Sequence, residues 1–351
     1  MMSMDWINDV FSGTQGWLFD AVVQPAMFSL GMANLLEDGY AATAWFLAGC
    51  LQVLVLLLVI GPLQRWRPVE PVTDKATVRT DVLYTLIHRL GLFRVALFLT
   101  LEPWFDEALG ALRGGGYGTF HLDQLWPGVT DHAVISLLIY LVVFDFVAYW
   151  THRGQHQLQW WWRLHSLHHA QRQMTMWSDN RNHLLDDVLG DVIIVVLAQL
   201  IGVAPGQFVL IVALTQLSES FQHANIRLWF GRFGERLWVS PRFHRLHHSI
   251  GIGHEWPVEN AEPVFSAGPS QGKTAPSGGS GAHEVASVGA RLGGSNFGVL
   301  LPWWDMLFGT ANFEQRYDPT GVRDQVEERR DYGRGFWSQQ WIGLKRLVGR
   351  A

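Results

Sequence analysis

The chain has 351 residues, 48% of them apolar and only 16% charged, with a formal net charge of −5. A soluble domain carries about 25% charged residues, so much of this surface is expected to face something other than water, and the acidic balance argues against a nucleic-acid partner. The lone cysteine, Cys50, excludes an internal disulfide and a cysteine-ligated iron–sulfur cluster.

Residues 1–40 read as an N-terminal segment, amphipathic or membrane-associated, with 15–36 its apolar part. Asp5 and Asp9 stand where a cleavable signal peptide would carry basic residues. The clearest apolar run follows at 41–62, AATAWFLAGCLQVLVLLLVIGP. It is free of charge and matches the roughly 20 helical residues that a bilayer core needs. A second run covers 82–104 and contains Arg89 and Arg94; with the first it makes a 41–131 region of two membrane helices and connecting loops. The third, 132–150, ends in an aromatic cluster. The stretch 188–223 reads as two helices joined at Pro205-Gly206, a hairpin that returns to its own side. Lys and Arg number four in 63–81, one in 105–131, four in 151–187 and 15 after residue 223. Positive charge stays on the cytoplasmic side, so 63–81, 151–187 and 224–351 are expected there. The fold class is therefore all-α, with multi-span membrane helices and a cytoplasmic helical cap rich in histidine. The competing reading, core helices of a soluble protein, is disfavoured by run length and charge asymmetry.

Ten of the 15 histidines fall on that one side: HRGQH (152–156), RLHSLHH (163–169), His183, His223 and RFHRLHH (242–248). On a helix, positions i, i+3 and i+4 share a face. His165, His168 and His169 thus point together, as do His244, His247 and His248, and as do His152 and His156. Neutral imidazole is the commonest protein metal ligand. Eight to ten imidazoles exceed what one ion takes, so two ions are expected. Ligand type alone leaves Fe, Zn, Cu and Ni open, and the chain has no E-x-x-H or H-E-x-x-H motif. The bland alternative is a set of interfacial histidines in ordinary hydrogen bonds. His88, His121, His132, His254 and His283 are scattered and mostly read as ordinary, with His254 and His283, beside or within a long Gly- and Ser-rich stretch, the two that could replace a ligand.

Four further pieces accompany the boxes: DFVAYWTHRGQH (145–156), NRNH (180–183), QHANIR (222–227) and NFGVLLPWWDMLFGT (296–310). Together, over 132–310, they resemble the fatty acid hydroxylase / sterol desaturase superfamily. The resemblance implies a membrane-embedded non-haem di-iron oxidoreductase. Such an enzyme uses dioxygen and two external electrons to hydroxylate or desaturate a lipid C–H bond. Carried over position by position, the iron ligands are His152, His156, His165, His168, His169, His183, His223, His244, His247 and His248. One departure stands out. In the family the N-[FY]-G segment closely follows the third box, whereas here 47 residues separate His248 from Asn296. The insertion, about 258–295, is rich in Gly, Ser, Ala and Pro and reads as a disordered cytoplasmic loop, or alternatively as a lid. A cytoplasmic tail, 311–351, follows.

Neutral imidazoles would leave the ions' charge uncompensated within the ligand set. Polar residues nearby are expected to orient the rings: Asp145, Asn225 and Asn296, with Asp179 and Asp187 beside them. Asp145 and Asp191 are also ionisable groups inside apolar runs, a mark of function. Arg153 reads as a positional anchor, and Trp160, Trp161 and Trp162 as an interfacial belt. No G-x-G-x-x-G fingerprint or cysteine cluster is present, so electrons are expected from a separate cytochrome b5-like, ferredoxin or flavin reductase protein. Two other readings remain at this level: a membrane zinc hydrolase, and a non-enzymatic metal transporter or sensor. The lipid is not named by the sequence.

Overall fold

The computed structural model describes residues 4–251, 253–254 and 293–350. The loop or lid expected over 258–295, with His283, lies outside the described residues except for 293–295. Among the described residues the fold is helical throughout, and strand pairing is limited to one isolated bridge, Ser249 with Thr320.

Helix α1 (Met4–Leu18) passes through a π turn, Phe19–Val23, into a last stretch, Gln24–Ser29. Helix α2 (Ala33–Trp66) runs unbroken for 34 residues and holds a second π turn at Leu56–Ile60. Each π turn ends just before a proline, Pro25 or Pro62. A proline ring cannot donate to the carbonyl four residues back and collides with it, so the helix widens there. Helices α3 (Lys75–Arg89) and α4 (Leu92–Thr100) cover the second expected run but are bent by 53°. The break is at Gly91, which takes φ +80°. This corrects the picture of one straight helix over 82–104. The bend lets Arg89 turn inward, while Arg94 lies over the Trp45 ring at 3.8 Å. Helix α2 meets α3 closely at Gly49, where an added Cβ would sit 1.6 Å from the Arg89 carbonyl oxygen.

Helix α5 (Glu102–Gly114) leads to α6 (Ala133–Gln157), and only Leu158 separates α6 from α7 (Gln159–His169). The hairpin is present as α8 (Leu184–Ile201) and α9 (Pro205–Gln222). Its turn lies slightly earlier than expected: Gly202 takes φ +68° and Pro205 opens the second arm, the position where a missing N–H costs nothing. Both arms pack through Ile194, Ala198, Phe208 and Ile211 onto Tyr140 and Phe144 of α6. Ser240 caps α10 (Pro241–His247), its hydroxyl accepting from Phe243 N at 3.1 Å. After the insertion come α11 (Trp303–Leu307) and α12 (Phe336–Leu347).

By length and composition α2 and α6 can each cross a membrane, and α3–α4 makes a third span if the bent pair counts as one. Only 28% and 33% of the apolar windows of α2 and α6 are buried. Their outer faces expose Leu51, Leu54, Leu57, Leu58 and Leu138, an arrangement stable in lipid rather than in water.

Candidate metal centre

The end of α6, all of α7, the end of α9 and α10 bring their histidines to one point. Eight of them form two groups, each with four ring nitrogens within 4.8 Å of one another. One group is His152, His156, His169 and His247; the other is His168, His223, His244 and His248. All eight are buried or nearly so.

Hydrogen bonding decides which nitrogen each ring offers. His223 Nδ1 donates to the Glu219 carbonyl at 2.8 Å, leaving its Nε2 with only a lone pair. That atom lies 3.1 Å from Nε2 of His168 and 3.1 Å from Nε2 of His244, which lies 3.1 Å from Nε2 of His248. Neutral imidazoles cannot satisfy this chain by hydrogen bonds alone. If His244 Nε2 donates to His223, it keeps no lone pair for His248, and its one proton is shared between two neighbours. A cation at the centre satisfies all four at once. Ligands about 2.1 Å from one ion stand about 3.0–3.4 Å apart, which matches the observed spacing.

The first group is prepared in the same way. His152 Nδ1 donates to the Phe297 carbonyl at 2.9 Å, and His247 Nδ1 to the Ser295 carbonyl at 2.8 Å. Nε2 of His247 and both nitrogens of His156 are buried without a protein partner. His254 completes a relay: its ring bonds the His247 backbone, and its Nε2 lies 2.7 Å from His169 Nδ1. A proton on His169 Nδ1 then leaves His169 Nε2 free to ligate. This histidine, not among the ligands favoured from the sequence, is therefore part of the site. Its signal was weak because it sits at the edge of the insertion, outside any box. The two ends of that insertion meet beside it, Gly293 N donating to the His254 carbonyl at 3.1 Å.

His165 belongs to neither group but touches both. Its Nδ1 bonds Asp186 Oδ2 at 2.8 Å, and its Nε2 lone pair faces His169 Nε2 at 3.2 Å. His183 is not brought to the centre. Its Nδ1 caps α8 by accepting from Leu185 N, and its Nε2 bonds the Gln340 carbonyl at 3.0 Å.

Burial, followed by the charge that neighbouring imidazoles would carry, holds His168, His169, His244, His247 and His248 well below the ordinary histidine range. Burial likewise pushes His254 down to about 3. These rings are neutral at physiological pH and present lone pairs.

The polar residues expected to orient the rings act one step further out. Asp145 accepts from Leu300 N, Leu301 N and Trp304 Nε1 at 2.7, 3.2 and 2.9 Å. It anchors the loop whose Phe297 carbonyl holds His152. Asn296, at φ +63°, joins Phe243 and Asn312 backbone and so locks α10 to that loop. Asn225 holds Val69 and Glu70 backbone instead. None of these three bonds a histidine ring. The residue that does is Asp186, which the sequence reading passed over for its neighbour Asp187. It is 2% exposed and also accepts from Gln155 and Trp161 at 2.8 and 2.7 Å. Asp179 lies 3.9 Å from His223 and pairs with Arg89 at 2.6 Å. The tryptophan belt needs correction too. Trp160 is exposed, but Trp161 and Trp162 are buried, the latter packed on the rings of His156 and His254.

A cavity of about 300 Å³ opens from the histidines between α4, α6, α8 and α9. Phe93, Phe144, Ile194, Phe208 and Ile211 supply apolar lining, Arg94 and Asp191 also border it, and the histidines it meets are His88, His152, His165, His168, His223 and His244. Asp179, Asp186, Asp187 and Glu219 also line it. Two of these carboxylates stand beside rings of the centre, Asp179 by His223 and Asp186 by His165, outside the ligand groups.

Residues 137–258 match the family model described as fatty acid hydroxylase. The chain is 26% identical over 306 residues to ornithine lipid hydroxylase OlsE of Rhizobium tropici, covering 85% of this chain and 77% of that protein. It is 28% identical over 117 residues to lathosterol oxidase of Homo sapiens, covering 33% of this chain and 36% of that protein. No solved structure matches the chain.

Proposed function

This chain belongs to the fatty acid hydroxylase / sterol desaturase superfamily through its domain over residues 137–258, and from that premise we propose that it hydroxylates or desaturates a C–H bond of a membrane lipid. The supporting observation is the pair of four-imidazole groups, of which His152, His168, His223 and His244 line a cavity that also carries Phe93, Phe144, Ile194, Phe208 and Ile211, in a fold with helices that suit a bilayer. Its relatives are named for a lipid hydroxylase and a sterol oxidase, two reactions that begin by attacking an unactivated C–H bond.

In this reading one iron is held by His152, His156, His169 and His247, and the other by His168, His223, His244 and His248, with His165 beside both. Bound iron would supply the redox chemistry with dioxygen. Hydroxylation places one oxygen atom in the C–H bond and releases the other as water; desaturation removes two hydrogens and releases both oxygens as water. Each consumes two external electrons and two protons. The chain's own residues bind and orient. Phe144, Ile194, Phe208 and Ile211 receive the apolar part of the lipid and exclude water. The carbonyls of Glu219, Ser295 and Phe297 fix ring tautomers, and Asp186 fixes His165. Electrons would come from a separate cytochrome b5-like, ferredoxin or flavin reductase protein. The excess of Lys and Arg in 63–81, 151–187 and after residue 223 favours a cytoplasmic position for the histidine end, where such donors are found.

Lipid mass spectrometry of cells with and without the gene, together with metal analysis of the purified protein, tests this. The expected result is iron in the protein and a lipid that gains one oxygen or loses two hydrogens only under air. Zinc in the protein with turnover that persists without oxygen would favour a hydrolase. Metal with no altered lipid would favour a transporter or sensor. Either outcome would refute the oxygenase reading.

A further inference from the structure

The C-terminal helix α12 has two unlike faces. Phe336, Gln339, Gln340, Gly343 and Arg346 are buried. Gln340 donates to Tyr84 Oη at 2.8 Å and accepts from Leu184 N at 2.8 Å. Gly343 lies so close to His183 that an added Cβ would stand 2.3 Å from its ring. Arg163 of α7 donates to the Leu347 carbonyl, and Arg346 donates back to the Arg163 carbonyl. On the opposite side Trp337, Trp341, Leu344 and Val348, the last just past the helix end, are 80%, 60%, 40% and 65% exposed. Their spacing of four, three and four residues makes one narrow stripe. Four large apolar side chains in a row, two of them tryptophan, are costly in water.

The neighbours of α12 indicate what covers that stripe. Its buried face packs on the start of the apolar arm α8 at His183 and Leu184, on Tyr84 of the bent pair α3–α4, and on α7, which leaves α6 after a single residue. Helix α12 therefore lies against the start of α8, against α7 just after α6 ends, and against α3, where an interface depth is expected. Tryptophan is favoured at this depth because its ring is apolar and its N–H is polar. Lys345 Nζ lies 5.6 Å from the Trp341 ring, placing a cation beside the stripe, as in helices that lie flat at a lipid surface.

We propose that α12 is an in-plane membrane helix, its Trp337–Trp341–Leu344–Val348 stripe seated at the boundary between lipid headgroups and acyl chains. This rests on the membrane placement of the fold and not on the chemistry of the metal centre. Because its buried face holds His183 and Leu184, it also fixes the start of α8, from which Asp186 reaches His165.

The test uses the full chain carrying Cys50→Ser, with a single new cysteine at Trp337→Cys, Trp341→Cys, Leu344→Cys or Val348→Cys. All four positions lie on the exposed face, where substitution disturbs packing least. Each variant is labelled with an environment-sensitive fluorophore and reconstituted in phosphatidylcholine/phosphatidylglycerol vesicles. Glu328→Cys, on an exposed turn, is the reference. The expected result is blue-shifted emission that is lost to shallow spin-labelled lipids and insensitive to iodide at all four positions, with the converse at 328. Quenching by iodide but not by lipid would overturn the proposal by placing the stripe in water. Quenching by neither would overturn it by placing the stripe under protein, such as a second copy of the chain.

Discussion

The two-group geometry makes a quantitative claim about metal content. A four-ligand site of this kind contributes about 10–16 kcal/mol of ion binding, so one imidazole supplies about 3–4 kcal/mol, or roughly 100- to 1000-fold in affinity. His156 belongs only to the first group and His248 only to the second. His156→Ala and His248→Ala should each lower the metal content of detergent-purified, briefly chelated protein from two ions per chain to one. A second substitution in the same group, His168→Ala with His248→Ala, should leave one ion. A substitution in each group, His156→Ala with His248→Ala, should leave none. Resistance to alkaline extraction should be unchanged in all of them, because the spans α2 and α6 do not depend on the ions. Elemental analysis by mass spectrometry reads the outcome. If one substitution strips both ions, or if the same-group pair strips both, the sorting into two independent sets is wrong.

Two further outcomes follow from the hydrogen bonds and the buried imidazoles. His168, His169, His244, His247, His248 and His254 are held below the ordinary value of 6.5 when folded. Below pH 6.5 the unfolded chain binds protons that the folded chain refuses, so stability is full above that pH and falls as pH drops beneath it, for His254 down to about 3. Each ring contributes a slope of about 1.4 kcal/mol per pH unit in that window, and thermal unfolding of metal-free protein at pH 7.5 and 5.5 should show a steep loss; equal transitions at both would contradict neutral burial. Asp186→Asn must turn an amide toward either the His165 donor or the Gln155 and Trp161 donors, at about 1–3 kcal/mol. The thermal transition of the protein should fall correspondingly, and an unchanged transition would remove Asp186 from the network that holds His165.

The boxes and the apolar runs were legible because each depends on local periodicity. Imidazoles at i, i+3 and i+4 share a helix face wherever that helix packs, and an apolar run long enough to span a bilayer is a property of the segment itself. By itself, then, the sequence determined an all-helical chain with membrane-length helices and a histidine centre drawn from three boxes and His223. The bend at Gly91 was hidden, since a single glycine in an apolar run does not declare a positive φ. The buried state of Trp161 and Trp162 was hidden as well, since composition favours tryptophan equally at an interface and beside a ring cluster.

Only the tertiary structure decided how the histidines are shared out. His168 and His169 are adjacent in sequence yet belong to different groups, as do His247 and His248. Adjacent side chains on a helix diverge by about 100°, so each H-x-x-H-H box contributes to both groups, and the partner of each ring is set by how α7 and α10 face one another. The same long-range placement took His183 out of the centre and brought His254 and Asp186 into it. Their roles arise from contacts with residues distant in the chain, which no local pattern records.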